Sequence, residues 1–199
     1  EHSISLYFHI PFCTKKCDYC HFYVLPDKEP FKLQLMEGFE QELLLWAEQL
    51  KGKHLVSIYF GGGTPALLGA RSIAKLLNTI NTHIPFDPKN IEITLEANPE
   101  NITKELMSNY AAAGVNRVSI GVQTLDDDLL KRLGRTHNSN KAIDAVLLTR
   151  ESGINNISID LMYDIPGQTL LSWERTLDQI PKLPITHLSL YNLTIEPHT

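Results

Sequence analysis

The chain has 199 residues, of which 43% are apolar and 21% are charged, so it can bury a full hydrophobic core without crosslinks. Its 18 basic and 23 acidic residues give a net charge of -5, and no cluster of Lys and Arg could follow a phosphate backbone, which argues against a nucleic-acid partner. No apolar run reaches the ~18 residues of a membrane span and the first residues lack a signal-peptide pattern, so we expect a cytoplasmic protein.

Six short segments with β-strand character recur along the chain, at 5–10, 54–60, 91–97, 116–122, 155–163 and 186–192. Helical patterns fill the gaps between them, at 31–50, 71–81, 103–113, 139–152 and 169–180. The third and fourth helices stop at Gly114 and Gly153, as is typical of helix C termini. This alternation predicts an α/β fold with parallel strands joined by right-handed crossovers, in one domain over residues 1–199.

Inside the strands, apolar and polar residues alternate. The third strand, for example, sets Ile93 and Leu95 against Thr94 and Glu96. We expect the apolar face to meet the helices. Polar groups buried without partners would cost ~1–3 kcal/mol each, so the polar face should line a wet lumen or a polar ligand. A sheet curled with this face inward predicts a partial, TIM-like barrel of six strands, open on one side, with sites at the C-terminal strand ends.

The segment 9–23, HIPFCTKKCDYCHFY, contains all three cysteines of the chain, just after the first strand. A disulfide would pair two of them and leave one over, so the odd count favours a metal site. The charges of Lys15 and Lys16 favour thiolates. A zinc site would add His21 or His9 as a fourth ligand. The alternative is a [4Fe-4S] cluster with three thiolate ligands and one open iron.

The segment 59–68, YFGGGTPALL, ends the second strand and starts a helix at the same edge of the sheet. Three glycines allow the backbone to approach a ligand closely. No Gly-Lys-Ser/Thr follows, so a Walker A loop is excluded, although the segment satisfies G-x-G-x-x-A. A dinucleotide fold would also need an acidic residue ~20 positions on, whereas Glu96 lies 33 positions after Gly63.

Six motifs in one order closely resemble the radical S-adenosylmethionine (radical SAM) enzymes, and within them the oxygen-independent coproporphyrinogen III oxidases and their haem-chaperone-like relatives. They are YFHIPFCTKKCDYCHF, FGGGTP, LEANP, SIGVQT, LGRTHN and IDLMYDIPGQT. The match runs from Tyr7 to the final SLYNLTIEPHT. The resemblance implies that residues 1–199 form a radical SAM core, a partial (βα)6 barrel, and that the family's C-terminal region is absent from this chain.

The resemblance also implies a [4Fe-4S] cluster on Cys13, Cys17 and Cys20, whose open iron binds S-adenosylmethionine. Tyr19 would lie by the adenine, and the segment 62–64 would meet the methionine part. Nine positions match cofactor-binding residues of the family: Tyr7, Tyr19, Gly62, Gly63, Thr64, Glu96, Gln123, Arg135 and Asp160. Of these, Arg135 is placed to receive a carboxylate, and Gln123 and Asp160 would face the ribose hydroxyls. The histidines have no assigned role.

Two functions follow from the resemblance. One is a radical SAM oxidoreductase of tetrapyrrole metabolism that cleaves S-adenosylmethionine reductively, as a coproporphyrinogen III dehydrogenase does. The other is a binding protein that hands haem to an acceptor protein. The oxidase branch usually has a fourth cysteine two positions after the third, where this chain has Phe22, and this favours the haem-chaperone-like branch. The ligand would be haem or coproporphyrinogen III. Without the C-terminal region, this chain alone is not expected to be active.

Overall fold

The computed structural model describes residues 3–196 as a curled, six-stranded parallel sheet with helices packed on its outer face. The strands are β1 (Ser3–Ile10), β2 (His54–Gly62), β3 (Glu92–Ala97), β4 (Arg117–Gln123), β5 (Asn156–Tyr163) and β6 (His187–Asn192). Each strand pairs with the next one along the chain. The edges are β1 and β6, so the partial barrel is open between them, as the alternation predicted.

Six helices connect the strands: α1 (Glu29–Leu50), α2 (Ala70–His83), α3 (Lys104–Ala113), α4 (Asp127–Arg132), α5 (Ser139–Glu151) and α6 (Leu170–Leu177). Five of them were predicted from sequence, and α3 ends at Gly114, whose φ is 112°. The short helix α4 was not predicted. Its signal is Asp126, whose carboxylate accepts hydrogen bonds from the backbone N–H of Asp128 and Leu129.

The apolar strand faces form the core together with the inner faces of the helices. Ile93 and Leu95 of β3 are fully buried, and α2 contributes Ile73, Leu76 and Ile80, which recur at helical spacing. Because the sheet is covered by helices on this side, the opposite face is free to carry polar groups.

The polar face is drier than the sequence suggested. Thr94 of β3 and Ser158 of β5 are buried, although we expected this face to line a wet lumen throughout. Both have partners: Thr94 accepts a hydrogen bond from Arg117, and the Ser158 hydroxyl pairs with His187. The N-terminal half of this face therefore combines buried, hydrogen-bonded hydroxyls with exposed residues such as Ser5 and His187, and the cavity described below lies towards the C-terminal strand ends.

The chain between β1 and α1 folds over this C-terminal edge. Phe12–Cys13 pairs in parallel with Leu25–Pro26, a two-residue contact that was not predicted. The backbone N–H of Leu25 donates to the carbonyl of Pro11 at 2.7 Å. These bonds fix both ends of the thiol loop, by which we mean residues 13–24.

Residues 197–199, the end of the SLYNLTIEPHT motif, lie outside the described residues. Within residues 3–196, no helix is both long enough and apolar enough to cross a membrane.

Tyr110 of α3 anchors the turn that follows β2. Its buried hydroxyl donates to the carbonyl of Ala66 at 2.9 Å and accepts from the backbone N–H of Gly69 at 3.1 Å. We predict that Tyr110→Phe lowers the free energy of unfolding by about 1–3 kcal/mol, because two buried backbone groups lose their partner. Urea denaturation measures the change.

The control is Tyr163→Phe, at an exposed tyrosine of β5. It should change the free energy of unfolding by less than about 0.5 kcal/mol. Equal effects of the two substitutions would contradict the role assigned to the Tyr110 hydroxyl.

Candidate metal and cofactor site

A cavity of about 550 Å³ opens at the C-terminal ends of the strands. Its walls come from the thiol loop, the ends of β2 to β6, the segment that follows β6 and the turn after α4. Eleven of the twelve metal- and cofactor-binding residues predicted from sequence line it: Cys13, Cys17, Tyr19, Cys20, Gly62, Gly63, Thr64, Glu96, Gln123, Arg135 and Asp160.

Tyr7 is the twelfth predicted residue, and the structure places it outside this lining. Its side chain is 59% exposed, and its hydroxyl lies 3.0 Å from Nδ1 of His9. Its ring stacks on that of Tyr59, with the ring centroids 6.0 Å apart. Because β1 is an edge strand, its inner face looks towards the open side of the barrel, and Tyr59 of β2 lines the cavity instead.

The three thiols face the cavity as free, partly buried cysteines. Sγ of Cys13 lies 3.6 Å from Oγ1 of Thr64, and Nη1 of Arg135 donates to Sγ of Cys17 at 3.5 Å. Burial raises the pKa of the Cys13 thiol, and the hydrogen bond with Thr64 opposes this rise. Each of these two thiols therefore has a polar neighbour that can stabilise its thiolate form.

The thiol loop is tied to the turn after α4. Nζ of Lys15 donates to the carbonyl of Gly134 at 3.2 Å. This lysine, expected from sequence to favour thiolates, therefore also holds the thiol loop against the turn after α4, and we call this contact the clamp on Gly134. A methyl group on Gly134 would come within 2.6 Å of the carboxylate of Asp18. The loop thus packs closely on the residue that precedes Arg135.

The glycine segment at the end of β2 lies directly under the thiol loop. The backbone N–H of Gly63 donates to the carbonyl of Ile10, and that of Thr64 donates to the carbonyl of Phe12 at 2.7 Å. A Cβ on Gly63 would lie 2.7 Å from the same Phe12 carbonyl and 3.0 Å from Sγ of Cys13. Only glycine permits this approach of the two backbones.

Two carboxyl side chains, Glu96 of β3 and Asp160 of β5, line the cavity at the strand ends, and we call them the carboxylate wall. Oε1 of Glu96 accepts a hydrogen bond from the Tyr59 hydroxyl at 2.7 Å, and Oε2 accepts from the backbone N–H of Gly62 at 3.0 Å. Burial raises the pKa of Glu96 despite these bonds. Burial and the charge of Glu96 raise the pKa of Asp160 to about 6, although Ser119 donates to it. This wall therefore favours a cationic ligand.

Arg135 is the buried cation of the site, with 4% of its side chain exposed. Its Nη2 donates to Oδ1 of Asn98 at 2.8 Å and to the carbonyl of Gly121 at 3.0 Å, and it lies 3.6 Å from the Glu100 carboxylate. Burial alone would raise the pKa of Glu100, but a hydrogen bond with His137 and the charge of Arg135 outweigh it and lower that pKa to about 2.

Gln123 ends β4 in a conformation that side chains rarely adopt. Its φ is 68°, and the pairing of β4 with β5 shifts register just before it. The hydroxyl of Tyr191 donates to its Oε1. Such strain is typical of functional sites, and here it turns the amide of Gln123 into the cavity wall.

The thiol geometry by itself does not select between zinc and a cluster. Between residues 3 and 196, no three His, Cys, Asp or Glu side chains, the three thiols included, are arranged to hold a single metal ion. Nδ1 of His9, one of the proposed fourth ligands, lies within hydrogen-bonding distance of Tyr7, and His21 lies on the thiol loop at the cavity.

Sequence reasoning gave no role to several residues that shape the site. Asn98, Glu100 and Tyr59 line the cavity, and His137 contacts Glu100 from behind. Asn98 had a signal: it lies two residues after Glu96, beyond the strand end, in the quoted motif LEANP. The partners of Glu100 and His137 come from other elements, which no local pattern could identify.

The sequence model of the Radical SAM superfamily matches residues 7–180. The chain is 43% identical over 201 residues to the protein named heme chaperone HemW of Haemophilus influenzae, in an alignment that covers 98% of this chain and 52% of that protein. It is 37% identical to the HemW of Escherichia coli, again over 98% of this chain and 52% of the relative. The chain thus spans about half the length of these curated relatives.

Among solved structures, the fold is similar to that of coproporphyrinogen III oxidase (HemN) from Escherichia coli, described as a radical SAM enzyme. The TM-score is 0.90 at 30% identity, over 99% of this chain and 45% of that one. The methyltransferase TsrM from Kitasatospora setae, solved with cobalamin and a [4Fe-4S] cluster, gives a TM-score of 0.67 at 19% identity, over 100% of this chain and 38% of that one, and shows the fold alone.

Radical SAM membership implies a [4Fe-4S] cluster and S-adenosylmethionine, and the cavity fits both. Three free thiols face one space, which suits a cluster ligated by cysteine. Nε of Arg135 is buried and lacks a hydrogen-bond partner among the described residues, so this N–H can donate to a ligand bound in the cavity. The side chains of Glu96 and Asp160 line the same cavity, and when ionised they suit the positive charge of a sulfonium or ammonium group.

We predict that Gly63→Ala destabilises the fold and empties the metal site, because the new methyl group meets backbone atoms that cannot move aside. The expected loss is about 1–3 kcal/mol of unfolding free energy, as for other overpacked positions. Iron bound after anaerobic reconstitution should fall by more than half.

The control is Gly38→Ala in α1, where a Cβ has nothing within 4 Å. It should leave the iron content unchanged and stabilise the helix by about 0.5–1 kcal/mol. Full iron content and unchanged stability in Gly63→Ala would contradict the close packing of the thiol segment on β2.

The raised pKa of Asp160 predicts a pH dependence of stability. The folded state holds this proton up to about pH 6, whereas an unfolded Asp releases it near ~3.9. The contribution of Asp160 to the free energy of unfolding should therefore fall as the pH rises from about 4 to about 6, whereas the low pKa of Glu100 acts in the opposite direction, so the test is the difference between wild type and variant. Asp160→Asn, which keeps an acceptor for Ser119, should lose this decrease in urea titrations across the window. The exposed Asp144→Asn should keep it, and parallel curves for the wild type and Asp160→Asn would refute the assignment.

Proposed function

The chain belongs to the radical SAM superfamily, in its HemN/HemW-like branch, and from this premise we propose that it is the cluster-binding half of a protein that binds haem and delivers it to an acceptor. The observation that carries the proposal is the meeting of three free thiols, the glycine segment and the carboxylate wall in one cavity. The 43% identity to a heme chaperone supports the haem-related role.

In this proposal Cys13, Cys17 and Cys20 ligate the cluster as thiolates. A cluster with three protein ligands keeps one iron open for another ligand. Thr64 and Arg135 contact two of the sulfurs and stabilise their negative charge. The thiol loop is held on both sides, by Leu25 and by the clamp on Gly134, so that it closes over the cavity.

S-adenosylmethionine would lie along the strand ends. The segment 62–64 offers backbone contacts to the methionine part, and Arg135 has one donor free for a carboxylate. The cationic groups of the cofactor would lie near Glu96, whose second oxygen is fixed by Gly62. Gln123 and Asp160 would face the ribose hydroxyls, and Tyr19 would cover the adenine end; all three line the cavity.

When bound, the cluster supplies the electron for reductive cleavage of S-adenosylmethionine. The residues of this chain orient the cofactor, neutralise its charge and exclude water. Burial keeps Asp160 protonated below about pH 6, so its hydrogen-bonding role changes near neutral pH. Tyr19, which is partly buried, and Tyr191, whose hydroxyl donates to Gln123, also line the cavity.

A second candidate is the oxidative decarboxylation of coproporphyrinogen III propionates. The TM-score of 0.90 to the HemN oxidase favours it, because the radical SAM core is closely similar. The greater identity to HemW proteins and Phe22, at the position where the oxidase branch usually has a cysteine, favour the haem chaperone. Both candidate functions are those of a whole protein, and this chain spans only about half the length of its relatives.

We predict that the full-length protein, reconstituted anaerobically, binds about four iron and four sulfide per chain, as a single cluster requires. Cys13→Ala, Cys17→Ala and Cys20→Ala should each lose most of this iron. The exposed His54→Ala, in β2 away from the cavity, is the control and should keep it. Zinc in place of iron and sulfide, or full iron in the cysteine variants, would refute the cluster.

Haem transfer separates the two candidates. A chaperone should bind haem and pass it to an apo-haemoprotein, which absorbance spectra record, without decarboxylating coproporphyrinogen III. The oxidase should release carbon dioxide and form 5′-deoxyadenosine above a cluster-free control. Decarboxylation without haem transfer would overturn the chaperone assignment.

A further inference from the structure

Asn98 connects the two thiols that have polar neighbours. Its Nδ2 donates to Oγ1 of Thr64 at 2.9 Å, and Oγ1 of Thr64 lies 3.6 Å from Sγ of Cys13. On its other side, Oδ1 of Asn98 accepts from Nη2 of Arg135, whose Nη1 donates to Sγ of Cys17. One amide therefore contacts the polar neighbours of Cys13 and Cys17 at the same time.

The direction of these bonds follows from the chemistry of the amide. The hydroxyl of Thr64 accepts a hydrogen from Asn98, so its own hydrogen is free to point at Cys13. An amide supplies a donor and an acceptor within one small group, whereas a carboxylate supplies acceptors alone. With a carboxylate at position 98, the Thr64 hydroxyl would turn away from the sulfur to donate to it.

The local structure gives Asn98 no other role. It precedes a 3-10 turn, Pro99–Asn101, where asparagine usually caps the backbone, yet its side chain makes no capping bond. Gly121 leaves the space: a Cβ there would lie 3.0 Å from Oδ1 of Asn98. The side chain is thus turned from a capping position into the cavity, against Arg135, which is almost completely buried.

We propose that Asn98 is a positioning residue that aims the Thr64 hydroxyl at Cys13 and fixes Arg135 at Cys17, and that it thereby sets the reduction potential of the bound cluster. The inference rests on the proposed function, since it requires a cluster on these thiols. Hydrogen bonds to cysteine ligands stabilise the more negative, reduced cluster and so raise its potential. Asn98 touches neither sulfur and acts through its two partners.

The experiment compares cluster potentials in the full-length, reconstituted protein. Asn98→Asp should leave iron and sulfide near the wild-type content, because the carboxylate still accepts from Arg135. It should lower the equilibrium constant for cluster reduction about tenfold, which is about 59 mV for a one-electron couple. Redox titration followed by electron paramagnetic resonance measures the shift. Asn78→Asp adds the same charge on an exposed face of α2 and should not shift the potential.

A second set of variants, made in protein that also carries Thr64→Val, separates the effect of the added charge from the effect of the lost Thr64–Cys13 hydrogen bond. Thr64→Val removes the hydroxyl alone and should itself lower the potential. In that background Asn98→Asp should shift the potential by clearly less than in the wild type, because the part that passes through Thr64 is gone. A charge effect alone would give equal shifts in both backgrounds and would overturn the inference.

The outcomes distinguish this inference from the function it rests on. If the wild-type protein takes up no cluster, the proposed function fails and the inference fails with it. If the wild type and the variants all carry clusters of equal potential, the inference is wrong and the proposed function stands. If Asn98→Asp takes up no cluster, Asn98→Leu, which removes both amide bonds without adding charge, takes its place in the titration: an unchanged potential overturns the inference, and a lowered one supports it.

Discussion

The site depends on the close packing of the thiol segment on the end of β2. Two backbone hydrogen bonds, from Gly63 to Ile10 and from Thr64 to Phe12, join the segments, and the missing side chain of Gly63 lets them touch. This contact fixes Cys13 against Thr64 and starts the thiol loop at the C-terminal edge of the sheet. Without it, the parallel strands would still end at one edge, but the thiols would not face the carboxylates there.

Groups of both charges line the cavity. On the side of the thiols, Arg135 is buried among Asn98, Gly121 and Glu100, and the low pKa of Glu100 keeps that carboxylate ionised as its counter-ion. Burial raises the pKa values of Glu96 and Asp160, and the charge of Glu96 adds to the rise at Asp160. The site thus combines one buried arginine that carries an unpartnered donor with two carboxyl groups that are protonated more readily than exposed ones.

The sequence predicted what local patterns encode. Alternation identified all six strands and their inner faces, and since parallel strands end at one edge, it also placed Glu96, Gln123 and Asp160 together. The alternation could not show that a residue on the inner face of the edge strand β1 lies outside the cavity lining, as Tyr7 does. The short helix α4 needed only a cap and two buried leucines, too little for a periodic pattern. The network around Arg135 joins four elements and follows from tertiary packing alone.

The hydrogen bonds along the polar face of the sheet limit how far the cavity extends towards the N-terminal strand ends. Near the N-terminal strand ends, the buried hydroxyls have protein partners, as Thr94 has Arg117 and Ser158 has His187. Towards the C-terminal ends, the buried Nε of Arg135 has no partner among the described residues. Since an unpaired buried donor is costly, a ligand that accepts a hydrogen bond from this nitrogen would stabilise the folded protein. Ser119 and Asp160, which hydrogen-bond to each other, are the first residues of β4 and β5 to line the cavity, and so they mark its floor on these strands.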